Sequence, residues 1–151
     1  MKKIIFMLVT AIMLFASGNI YAQSSTNKIT SSDEPTPANV LKWTKEVLPK
    51  MEALVPKLEK IKAANPGKPA SDVLHLLATV NQLKEIKKQG TKLKAAEARR
   101  YYDLIAATVN SFYIDCKSKN GNVCCVDCHN HGILGIWCFA NCFVIRFPGI
   151  D

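Results

Sequence analysis

Residues 41 to 61 read LKWTKEV, LPKMEAL and VPKLEKI, three consecutive heptads of which the last two carry Pro, Lys and Glu at equal offsets. Positions one, four and seven hold Leu41, Val47, Leu48, Met51, Leu54, Val55, Leu58 and Ile61, with Thr44 the only polar intruder. Such spacing lays one apolar stripe along a helix and polar side chains on the other face. Pro49 and Pro56 fall seven apart, just after the stripe, so they share a face. Each lacks a backbone donor and crowds the preceding turn, which predicts one kinked helix or two short ones across 38 to 64. Asn65-Pro66-Gly67 should end it.

Downstream, Ser71 can cap a second helix and Asp72 suits its positive end. Leu76, Val80, Leu83 and Ile86 form the stripe, Lys87 and Lys88 suit the negative end, and Gly90 can take a left-handed stop. Thr91 can cap a third helix from Lys92 to about Phe112, with Leu93, Ala96, Tyr101, Leu104, Ile105, Thr108, Val109 and Phe112 near one side. Short connections between amphipathic helices imply antiparallel neighbours. The expected fold is mainly α: an antiparallel bundle of about three helices over 37–114, carrying a C-terminal cysteine-rich, disulfide-stapled module over 115–151. Lys117 to Asn122 reads as a turn. Ile133 to Phe147 holds 12 apolar residues among 15, too few and too interrupted by Asn141 and Arg146 for a membrane span. That run is expected to be the core of the module packed on the bundle, the alternative being an apolar surface that meets a membrane or a partner.

Upstream, residues 23–36 (QSSTNKITSSDEPT) have Ile29 as their only large apolar residue and predict a flexible lead-in. Residues 1–22 read as a signal peptide: Lys2 and Lys3 precede an apolar run from Ile4 to Phe15, and Ile20-Tyr21-Ala22 ends on the small residue favoured at a cleavage site. Removing 22 of the 151 residues leaves 129, enough for one domain with a modest core. The chain is therefore expected to be secreted or periplasmic. Export and the lack of any further apolar run of about 18 residues argue against a polytopic membrane protein, a nuclear factor or a cytosolic enzyme. Charge is unevenly spread: residues 39–111 carry fourteen Lys or Arg against seven Asp or Glu, whereas 112–151 carry three of each. A basic partner surface, if there is one, belongs to the middle segment.

All six cysteines, Cys116, Cys124, Cys125, Cys128, Cys138 and Cys142, fall within 27 residues. An even count in an oxidising compartment reads first as a disulfide framework. Six cysteines pair in 15 ways, and excluding the three that join adjacent Cys124 and Cys125 leaves 12.

Within the cluster, Cys125-Val126-Asp127-Cys128-His129 resembles the haem-attachment string of c-type cytochromes. That resemblance covers five residues and implies thioether bonds from Cys125 and Cys128 to a haem c, with His129 on the iron. Cys124 abuts the string as a competing thiol. Met51, His75 and His131 are the other conceivable axial ligands. Cys125, Cys128, His129, His131, Cys138 and Cys142 also contain enough thiolates and imidazoles for zinc, against which stands oxidation on export. A redox role for Cys125 and Cys128 would call for a strand–helix–strand context that the sequence lacks.

No phosphate loop, paired-acid motif or nucleophile elbow is present, and His75 has no catalytic partner in sequence. Lys84, Lys87, Lys88, Lys92, Lys94, Arg99 and Arg100 form a basic stretch that could meet phosphates of nucleic acid or lipid, a solvated helix face being the commoner explanation and export counting against nucleic acid. The expectation is a non-catalytic exported binding protein, cofactor-free, its partner an anionic membrane surface or another exported protein. An antibacterial or membrane-active factor working through the C-terminal module is one form of it. A periplasmic haem electron-transfer protein is the alternative.

Overall fold

In the computed structural model, which describes residues 34–118 and 127–149, the heptad stretch lies within one uninterrupted helix, α1 (Pro37–Ala64). The readings made for residues 1–22 and 23–33, for 119–122, and for Cys124 and Cys125 lie outside the described residues. Thr36 caps α1, its Oγ1 accepting from the Asn39 N–H at 3.2 Å, and Pro37 occupies the first turn, where a missing N–H costs nothing. Pro49 and Pro56 do not split the helix. Both are exposed, as are Lys45 and Glu52, whose carbonyls lose their helical donors, so water can satisfy the acceptors the prolines orphan. Val40, Thr44, Val47, Leu48, Met51, Leu58 and Ile61 are buried. Thr44 tolerates that burial because its hydroxyl donates to the Val40 carbonyl at 2.8 Å.

Asn65 closes α1 through its main-chain and side-chain N–H groups, both donating to the Ile61 carbonyl at 2.9 and 3.2 Å. The second helix, α2 (Lys68–Gln89), starts three residues before the expected cap: Gly67 stands at the cap position and Pro69 in the first turn, while the Ser71 N–H already donates to the Gly67 carbonyl. Ser71 is therefore not the cap; Pro69, pre-set in φ for a first turn, moves the start upstream. The C-terminus does fall at Gly90, whose φ of +55° favours glycine. A short 3₁₀ turn (Gly90–Lys92) follows, so the third helix, α3 (Ala95–Ser118), begins later than Lys92 and runs past Phe112. Ala98, Tyr101, Ile105, Val109, Phe112 and Cys116 are its buried residues, spaced by three or four; Ala96 and Leu104, placed on the stripe from sequence, are exposed. Cys116 is thus the last residue of a helix stripe as well as the first cysteine.

The apolar run contains a helix, α4 (Gly135–Ile145), preceded by a 3₁₀ turn (Gly132–Leu134). It buries Ile136, Phe139, Ala140, Cys142, Phe143 and Val144 against α1 and α3. Phe112 of α3 meets Phe139 and Phe143, with ring centroids 6.3 and 6.1 Å apart. Helix α1 packs most extensively on α2 and also meets α3 and α4. Among the described residues the fold is helical, without strands, and has a Cys128–Cys138 disulfide near the C-terminus. Lys68 at the start of α2 and Asp115 near the end of α3 form an ion pair and hydrogen bond.

Candidate functional site

Two regions concentrate chemistry, a sulfur cluster on α4 and a group of lysines in the last turn of α2 and the connection that follows it. The cluster depends on a close approach. Residues 127–131 form a turn in which the Cys128 carbonyl accepts the His131 N–H at 3.3 Å, and that carbonyl lies directly over Gly135. A Cβ at position 135 would stand 2.2 Å from the carbonyl oxygen, so only glycine admits the contact. The turn thereby brings Cys128 onto α4, where Cys138 and Cys142, four residues apart, share a face.

Cys128 and Cys138 are joined, with Cα atoms 5.3 Å apart, and the Cys142 sulfur lies 3.7 Å from that of Cys128. All three sulfurs lie within 4.8 Å of one another. Cys116 and Cys142 are disulfide-bonded too, and no described cysteine is a free thiol. The Arg146 guanidinium donates to the Cys116 sulfur at 3.3 Å. With Cys128 paired to Cys138, two of the 12 connectivities counted from the sequence remain.

The residues of the haem reading do not fit that group. The Cys128 sulfur is bonded to Cys138 and has no valence left for a thioether. His129 stacks on Tyr113 at 3.8 Å between ring centroids, and Met51 is fully buried in the α1 core. His75 is exposed on α2, and its carbonyl accepts from Thr79.

Beside the cluster, Glu46, Lys50, His131, Leu134, Trp137 and Cys138 line a cleft of about 180 Å³. Lys50 pairs with Glu46 at 3.8 Å, and its ammonium lies 4.9 Å from the Trp137 ring centroid. Sequence reading missed this cleft because it joins side chains about ninety residues apart. A Trp and a Cys at adjacent positions of an apolar run were the only local signal.

Most of the apolar run faces inward. Ile145 is its one strongly exposed large residue, at 67%, with Ile114 of α3 at 63%. Among the described residues no helix is long and apolar enough to cross a membrane. The basic stretch, by contrast, is solvent-facing. Lys84 pairs with Glu52 at 3.6 Å and Arg99 with Asp103 at 3.0 Å, and Arg100 lies over the Tyr101 ring. Lys87, Lys88, Lys92 and Lys94 are exposed and make no ion pair among the described residues. Glu97, the acid nearest Lys94 in sequence, turns back to accept from the Lys94 main-chain N–H at 3.4 Å, and Glu85, the acid nearest Lys87 and Lys88, makes no ion pair with them.

Comparison with known proteins finds no match: no protein family, no curated protein and no solved structure. The functional reading therefore rests on these side chains alone.

Proposed function

We propose that the chain is an exported, non-catalytic binding protein that docks on an anionic surface, the lipid headgroups of a membrane, through Lys87, Lys88, Lys92 and Lys94. The carrying observation is that these four cations are exposed and unpaired within eight residues, whereas other cations of the same stretch are spent on Glu52, Asp103 and a tyrosine ring. At about 1 kcal/mol per cation near an anionic leaflet, four lysines supply about 4 kcal/mol, roughly a thousandfold in affinity.

An antiparallel bundle formed by α1, α2 and α3, with α4 as a disulfide-stapled module against it, is the architecture of this reading. The short connections at 65–67 and 90–94 support it. Export is supported by the sequence of residues 1–22 and by the paired cysteines. In this reading the cysteine module is chiefly a scaffold, since its apolar side chains are committed to the core and the cations remain available. An antibacterial, membrane-active protein is one form it would take.

Binding to phosphatidylglycerol vesicles across a salt series tests the proposal. Screening contracts to about 3 Å at molar salt, so binding should fade there and be absent on phosphatidylcholine. Binding that is indifferent to salt would overturn it.

A further inference from the structure

The three sulfurs of Cys128, Cys138 and Cys142 offer a second chemistry. In the oxidised protein they are held by disulfides. From their juxtaposition we infer that, once reduced, Cys128, Cys138 and Cys142 form a three-thiolate site for one soft d¹⁰ cation of the zinc class.

Geometry carries the argument. Zinc sits about 2.3 Å from thiolate sulfur at tetrahedral angles, which sets neighbouring sulfurs about 3.8 Å apart. Cys142 already stands 3.7 Å from Cys128, and the whole trio lies within 4.8 Å. After reduction the Cys128–Cys138 separation must open from bonding distance, by side-chain rotation, and the Cys138–Cys142 separation starts within 4.8 Å. The backbone is fixed for the other contacts: Cys138 and Cys142 share one face of α4, and the glycine at 135 holds the Cys128 turn against that helix.

Burial adds a reason for metal over free thiolates. Cys128 is fully buried and Cys142 nearly so, and thiolates there need a compensating charge that a dication supplies. Cys138 lines the cleft it shares with His131, which gives an ion a way in and leaves a fourth position open to solvent.

The steps balance. A phosphine and water reduce each disulfide to two thiols, and the phosphine becomes its oxide. The dication then displaces three protons from three thiols and is held as a tris-thiolate. Bridge and metal are alternative ways of restraining the same sulfurs, selected by redox state.

The test uses cadmium as probe on the full chain, reduced with a phosphine in the absence of oxygen, with iodoacetamide footprinting read by mass spectrometry. One equivalent of cadmium should produce a cadmium–thiolate absorption band and lower the alkylation of Cys128, Cys138 and Cys142 relative to the metal-free reduced protein, leaving that of Cys116 unchanged. The oxidised protein should give no band. A variant carrying Cys116→Ser, Cys124→Ser and Cys125→Ser should retain one-equivalent binding, and adding Cys142→Ser should weaken it at least tenfold, with helical circular dichroism unchanged in both. Protection of Cys116 instead, an unchanged affinity on Cys142→Ser, or no band in a helical, reduced chain would overturn the inference.

Discussion

Replacing Gly135 with alanine sets two effects against each other. Gly135 has φ −61° and ψ −17°, ordinary helical values, so alanine meets no backbone strain there. Helix propensity favours alanine over glycine by at most about 1 kcal/mol, and less at a first-turn position. Against that gain stands the alanine Cβ, which would lie 2.2 Å from the Cys128 carbonyl oxygen and 3.2 Å from its carbon. Ordinary contact begins at 3.4 Å, so the carbonyl must retreat by about 1.2 Å. The retreating group is main chain, accepts the His131 N–H and is tied to α4 through the Cys138 bridge, so it cannot swing aside like a flexible side chain. Overpacking of this kind typically costs about 1–3 kcal/mol. The clash wins, and Gly135→Ala should lower stability by about 1–2 kcal/mol net. Urea denaturation of the oxidised proteins, followed by helical circular dichroism, measures it as a shift of midpoint at constant slope. A variant as stable as the parent, or more so, would refute the close approach that assembles the sulfur cluster.

Met51→Ala should cost about 2–5 kcal/mol in the same assay, because Met51 is fully buried in α1, whereas Leu104→Ala, at a position 44% exposed, should cost far less. The Asp115 hydrogen bond and charge raise the Lys68 pKa above the ordinary lysine value of 10.5; the charge of Asp72 adds to this and desolvation opposes it. A raised pKa means the pair's contribution is complete below the ordinary lysine value and is lost as pH climbs through the folded-state value, so Asp115→Asn should lower the Lys68 titration midpoint by NMR and remove that alkaline loss. Non-reducing peptide mapping should recover Cys128 bonded to Cys138, with Cys116 and Cys142 both attached to the peptide carrying Cys124 and Cys125; Cys128 bonded to any other cysteine contradicts the packing of the 127–131 turn on α4.

What could be read in advance followed from period. Along the α1 stripe Val47, Leu48, Met51, Leu58 and Ile61 are buried as the period implies, whereas Leu41, Leu54 and Val55 are only partly buried and Val40, off the stripe, is buried; Thr44 is buried too, because its hydroxyl finds a carbonyl four residues back. Of the two outcomes expected for the prolines, one helix or two short ones, the structure has the one helix; which of them occurs depends on whether the orphaned carbonyls face water, which a one-dimensional pattern does not display. The last turn of α3 was missed because Cys116 was counted with the cysteines rather than as the next apolar position after Val109 and Phe112. Helix α4 was hidden for a different reason. A helix packed on more than one side is apolar nearly all round, so Ile133 to Phe147 shows no periodicity to separate helix from any other buried segment. The sulfur cluster was out of reach of sequence altogether, because which cysteines meet is decided by a close approach of main chain to Gly135, and a glycine in a run of large apolar residues does not announce its partner.

The central claim is that docking is carried by the cations of 87–94 and not by the apolar residues left exposed. Two variants measured side by side on phosphatidylglycerol vesicles at low salt separate these: one carrying Lys87→Gln, Lys88→Gln, Lys92→Gln and Lys94→Gln, the other Ile114→Ser and Ile145→Ser. The expected result is a loss of affinity approaching a thousandfold for the first, at about 1 kcal/mol per lysine, and parental binding for the second. Parental binding by the lysine variant, with the loss appearing in the isoleucine variant, would contradict the account.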